Sequence, residues 1–191
     1  MAQRVRGNVK EQLIINGIEE MSKYGVREFS VRRVAQKCGV SCAAPYKHFK
    51  DRNSFVAAIL EYINTSWSGI ATVIASDYPD DYRTQLVQIS LRYVRFLVEN
   101  PHFRSILMLK DDEFDAEHRT LRTKVSAVTY EIVQKYCQSV QMPREVMERK
   151  LYVVRSLIYG AAILIDNKEM PYDDNTMEYV RAAIDREFDL A

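Results

Sequence analysis

Residues 30–49, Ser-Val-Arg-Arg-Val-Ala-Gln-Lys-Cys-Gly-Val-Ser-Cys-Ala-Ala-Pro-Tyr-Lys-His-Phe, admit little besides two short helices joined by a tight turn. Ser30 is a good N-cap. Val31, Val34, Ala35 and Cys38 then recur at i, i+3, i+4 and i+7, which is one apolar helix face. Gly39 stops that helix, because glycine takes the left-handed conformation of a C-cap without steric cost. Val40 offers an apolar plug. Ser41 is predicted to cap a second helix that presents Ala43, Ala44, Tyr46, Lys47 and His48. The small Ala35 lets the two helices cross closely. This is the form of a helix-turn-helix that reads DNA.

The rest of the chain also reads as helix. Only 6 Gly and 5 Pro punctuate 191 residues, and no alternating strand pattern persists. Further segments are predicted over 8–24, from Asp51 to about 77, 81–99, 102–109, 115–139, from Pro143 onward and from about 174, with Lys110–Glu113 as a polar loop. The fold class is therefore all-α, with about nine helices. Residues 1–50 form the helix-turn-helix domain and 51–191 a second, larger domain. At this length the chain can bury on the order of 70% of its unfolded surface.

Charge is distributed unevenly. Residues 1–52 carry 11 Lys/Arg against 5 Asp/Glu, whereas the remaining 139 carry 16 against 21. A basic head on an acidic body supplies local attraction to phosphate without global stickiness. The three cysteines, Cys38, Cys42 and Cys137, make no Cys-x-x-Cys pair, which argues against a disulfide framework or a zinc finger. The histidines form no ligand cluster, so no metal or other cofactor is expected. No Gly-x-Ser-x-Gly elbow, phosphate loop or paired-carboxylate signature points to an enzyme. The N-terminus lacks the apolar run of a signal peptide, and the run near Gly160–Ile165 is too short to span a bilayer. A cytoplasmic protein without membrane contact is the expectation.

Three pieces carry a resemblance to a known family: Phe29 to Ala35, Cys38 to Ser41, and Pro45-Tyr46-Lys47-His48-Phe49-Lys50-Asp51-Arg52 leading into a long helix. From about residue 8 to residue 60 the chain resembles the TetR family of bacterial transcriptional regulators. The resemblance implies an all-helical homodimer. The first three helices would form the DNA head and the next four would enclose a ligand cavity. The last two, from each of two subunits, would build a four-helix interface. A small-molecule effector would spread the heads and release the operator. Two positions depart from the family's common pattern: Cys42 lies where polar or basic residues are frequent, and Asn53 where an acidic one is common.

These expectations assign roles. Arg32 and Arg33, in the first turn after Ser30, oppose the helix dipole, a cost explained by a phosphate docked there. Lys50 and Arg52 suit a second phosphate, and Tyr46 can reach one through its hydroxyl. Lys47 and His48 face base edges or phosphates, while the methyls of Ala43 and Ala44 suit a thymine methyl. Ser41 and Cys42 complete the DNA-facing set, and a thiol near arginines also suggests a redox sensor at Cys42. Phe29 and Phe49 belong to the core. Trp67, Phe96, Phe103, Met108 and Tyr130 are candidates to line an effector cavity, with Arg92, Arg95 and Arg104 available to an anion. Leu151, Val154, Ile158, Ala161 and Ile165, with Met177, Val180 and Ile184, are the expected dimer interface. The function that follows is a repressor released from a palindromic operator by an effector. The alternative is an interaction module or nonspecific DNA binder with no small-molecule effector.

Overall fold

The computed structural model describes residues 8–124 and 127–189. Among these there is no strand, and there are nine α-helices: α1 (Val9–Tyr24), α2 (Val31–Lys37), α3 (Arg52–Asp77), α4 (Tyr82–Glu99), α5 (Pro101–Leu107), α6 (Ala116–Thr123), α7 (Ala127–Ser139), α8 (Arg144–Asp166) and α9 (Asp174–Glu187). Two 3₁₀ turns, Pro45–Lys47 and Asp111–Glu113, complete the order.

The helix count matches expectation, but its make-up differs in two places. The predicted segment 115–139 divides, because α6 closes at Lys124, whose N–H returns to the Leu121 carbonyl. The junction at 125–126 lies outside the described residues. The second helix of the helix-turn-helix is reduced to the turn at Pro45–Lys47.

Short polar side chains start most of these helices. Asn8, Ser30, Asp81, Asp115 and Asp173 each accept a hydrogen bond from a first-turn N–H. At α3 the cap is reciprocal. Ser54 N–H donates to Asp51 Oδ1 at 2.8 Å, and Asp51 N–H donates to Ser54 Oγ at 3.0 Å. Backbone donors of this kind hold the carboxyls of Asp51 and Asp81 below the usual carboxylate range. Both caps are therefore complete above the ordinary carboxylate pKa and are lost as pH falls through the lowered native value.

The chain divides into two compact units. The first holds the described residues up to Ser66 and those from His102 through α6. The second holds Trp67–Pro101 and the described residues from α7 onward. The helix-turn-helix thus shares its unit with the start of α3 and with α5 and α6. Asn64 donates to the Leu121 carbonyl at 2.8 Å, and Arg27 pairs with Asp112 at 3.3 Å. The buried His118 ring spans Asp115 Oδ2 at 2.9 Å and the Asn53 carbonyl at 3.0 Å. In the second unit α4 packs on α7, α8 and α9.

One close approach sets the geometry of the head. Gly17 on α1 faces α3, and a Cβ placed there would lie 2.8 Å from Ile59 Cδ1 and 3.2 Å from the Phe55 ring. A branched side chain has no room. Gly17→Val is expected to lower stability by about 1–3 kcal/mol, the usual cost of overpacking, which urea denaturation would measure.

Candidate nucleic-acid interface

The recognition segment begins where α2 ends. Gly39, at φ 68°, terminates the helix, its N–H returning to the Gln36 carbonyl and that of Val40 to Ala35. This paired return is a Schellman ending. It turns the chain sharply into residues 41–49.

Those residues do not form the regular α-helix that a cap at Ser41 implies. Ala44, Tyr46, Lys47 and His48 each donate to the carbonyl three residues back, at 2.9–3.2 Å. Pro45 explains the change: it has no N–H to give to the Ser41 carbonyl, which instead takes the N–H of Ala44 at 2.9 Å. The turn is tight and well anchored. Pro45 and Phe49 are buried, and the Phe49 ring stacks on Phe55 with centroids 4.0 Å apart and planes 7° from parallel. Phe29 meets Phe55 edge-on at 5.3 Å. The expected core roles of Phe29 and Phe49 therefore hold.

This anchoring leaves a polar crest outside. Ser41, Cys42, Ala43, Tyr46, Lys47, His48 and Lys50 are exposed, and Ala44 is half-buried. Tyr46 is 55% exposed. Arg32, in the first turn of α2, is exposed and carries no ion pair among the described residues.

Two expected phosphate ligands are engaged elsewhere. The Arg33 guanidinium pairs with Glu20 on α1, donates to the Glu28 carbonyl and covers the Tyr24 ring at 4.4 Å. Arg52 donates from Nε to the Phe29 carbonyl at 3.2 Å and from Nη2 to those of Val26 and Arg27. Both arginines answer local need. Glu20 is only 8% exposed and its carboxylate requires a partner; the carbonyls of 26–29 lie outside any helix ladder. Sequence spacing gives no sign of Glu20, which reads there as one more acidic residue of α1.

Residues 13–59 match the family model of bacterial regulatory proteins, tetR family. The head belongs to the TetR family. TetR-family regulators bind DNA and act as dimers. No curated protein matches the chain in sequence. Solved structures share the whole fold. A TetR family transcription regulator from Marinobacter aquaeolei VT8 is 17% identical, with a TM-score of 0.75 over 94% of each chain. A tetR-family regulatory protein from Rhodococcus RHA1 is 18% identical, with a TM-score of 0.70 over 97% of this chain and 99% of that one. Mycobacterium smegmatis AmtR is 16% identical, with a TM-score of 0.66 over 100% of this chain and 92% of its own.

Beyond the TetR-family head, the expected effector-cavity residues scatter. Trp67 and Phe96 are buried together in the second unit, 5.3 Å apart, with Tyr93 4.5 Å from Trp67. Phe103 stands edge-on to Tyr62 in the first unit, and Met108 and Tyr130 are exposed. The Tyr93 hydroxyl is the one buried side-chain polar atom among the described residues with no hydrogen-bond partner. Burial, reinforced by the neighbouring Tyr159, pushes that phenol far above its usual pKa. Of the three expected anion partners, Arg92 and Arg95 pair with Glu99 at 2.9 Å and Asp174 at 3.6 Å, and Arg104 is buried in the first unit. No group of three or more His, Cys, Asp or Glu residues suits a metal ion among the described residues, and no described helix is long and apolar enough to cross a membrane.

The expected dimer set also separates. Val154, Ile158, Ile165, Met177 and Ile184 are buried within the chain's own core. Leu151, Ala161 and Val180 remain half-buried. The open apolar face lies beside them, in a groove of about 540 Å³ lined by Val153, Leu157, Gly160, Leu164, Tyr179 and Ala183, with Ala161, Ile165 and Val180 of the expected set among its walls.

Proposed function

We propose that this chain is a homodimeric, sequence-specific DNA-binding repressor that a small molecule releases from a palindromic operator. The observation that carries the reading is the exposed crest Tyr46-Lys47-His48 on a turn fixed from beneath by the Phe49–Phe55 stack, within a TetR-family head. The crest presents a phenol, an ammonium and an imidazole, all groups that bond phosphates or base edges. Residues 1–50 act as the DNA-binding part and 51–191 as the effector and dimerisation part.

The open α8–α9 groove supports the dimer, because a contiguous apolar face of this kind is unfavourable in water. Two heads then meet successive major grooves when half-sites lie about 34–36 Å apart, or a multiple of that turn. The aromatic group around Trp67, with the buried Tyr93 hydroxyl within it, supports an effector site. An effector acts by binding the conformer with wider-spaced heads better than the DNA-bound one.

Selection of bound duplexes from a random library tests this reading. Enrichment of an inverted repeat is expected; no enrichment, with affinity that collapses as salt rises, would mark a nonspecific binder. On the selected operator, Lys47→Ala should weaken binding on the order of tenfold while sedimentation still shows a dimer. Unchanged affinity would remove Lys47 from the interface.

A further inference from the structure

Arg33 stands at the point where the first two helices of the head are joined. Its guanidinium meets the Glu20 carboxylate on α1, the Glu28 carbonyl in the connection and the face of Tyr24 at the end of α1. Its backbone N–H donates to the Ser30 cap that opens α2. Arg33 therefore touches α1, the connection and the start of α2, while Lys37 pairs with Glu19 as a second ionic tie between the same two helices. The orientation of α2 passes directly to the recognition turn, because the Schellman ending at Gly39 leaves few free dihedrals between them.

The charge of Arg33 is also offset. Glu20 is buried and supplies a full negative charge against the guanidinium. A phosphate arriving at Arg33 would meet a neutralised pair. It would have to draw the arginine from a carboxylate that pairs with no second cation among the described residues. Arg32, its neighbour, is exposed and has no such carboxylate among the described residues.

We propose that Glu20 and Arg33 form a positioning pair for operator reading, holding the recognition turn in register without contacting phosphate. This rests on the operator-binding function above. It predicts that the acidic member of the pair supports DNA binding, although a carboxylate near DNA ordinarily opposes it.

Glu20→Gln separates the two roles, since it keeps the shape and one acceptor oxygen but removes the charge. If Arg33 were a phosphate ligand restrained by Glu20, the substitution would free it. Affinity would rise, and the slope of log K against log salt would steepen by about 0.9 for each phosphate gained. For a positioning pair, operator affinity falls about tenfold, the worth of one lost base contact, while nonspecific affinity and the salt slope stay unchanged. Arg33→Lys is the second variant. It keeps the charge but loses the planar fork and the stacking on Tyr24, so a phosphate ligand would be rescued and a positioning residue would not. Circular dichroism at the assay temperature establishes which variants are folded; where one is not, the other tests the proposal. Tighter binding by Glu20→Gln, or wild-type operator affinity in Arg33→Lys, overturns the proposal. Loss of sequence selection in the wild-type chain would instead overturn the operator-binding reading itself.

Discussion

Leu164→Asp is expected to convert the dimer to a monomer and to lower operator affinity a hundredfold or more, on the order of the gain that linking two binding modules provides. Leu164 is 40% exposed on α8 and lines the apolar groove with Leu157, Gly160 and Tyr179. A carboxylate placed there stays solvated in the single chain, so the fold loses little. In a dimer whose two grooves face each other, the same two carboxylates would be buried unpaired, which is strongly unfavourable. Ile158→Asp is the necessary contrast. Ile158 is 7% exposed and packs inward, so its replacement should unfold the second unit and not merely separate two intact subunits. Sedimentation with circular dichroism distinguishes the outcomes: folded monomer for Leu164→Asp, unfolded chain for Ile158→Asp. A folded dimer from Leu164→Asp would place the interface elsewhere.

The same pair of residues shows what the sequence reveals about α8. Its apolar positions at 154, 158 and 165 repeat at helical spacing, and so do those at 153, 157, 161 and 164. Periodicity establishes a helix with two apolar stripes, but nothing local says which stripe meets the chain's own core. That is decided by the elements packed on it, α4 and α9. Ser30, Gly39 and Asp51 are legible because a cap involves residues only three or four apart. Arg33 is not, since its partner Glu20 lies thirteen residues away across a helix junction. Arg52 hides its role for the same reason, its three carbonyl acceptors lying 23 to 26 residues before it. Pro45 is visible in the sequence, but its effect is stronger than its position suggests. In the first turn of a helix a missing N–H is tolerated, yet here it leaves only a 3₁₀ turn. Aromatic character alone cannot single out an effector cavity, because core and pocket share it; hence Trp67 and Phe103 fall in different units.

Phe55→Ala is expected to remove about 3–5 kcal/mol of stability from the unit that carries the head, the usual cost of deleting a buried phenylalanine. The ring is fully buried, with Phe49 stacked on one face, Phe29 perpendicular to it at 5.3 Å and Gly17 of α1 close by. It therefore joins the recognition turn, the connection before α2 and α1 to a single point on α3. A cavity there loosens all three. For a unit of this size the melting temperature should fall by roughly 15 °C or more. The two units can be followed separately, because Trp67 is the sole tryptophan and lies with Tyr93 and Phe96 in the second. Its fluorescence reports that unit, whereas far-ultraviolet circular dichroism reports both. The expected result is an early loss of helix signal that precedes the change in Trp67 emission, with operator binding lost in the earlier step. A melting temperature within about 2–3 °C of wild type, which at this size corresponds to well under 1 kcal/mol, would mean that the recognition turn is held by something other than this ring stack.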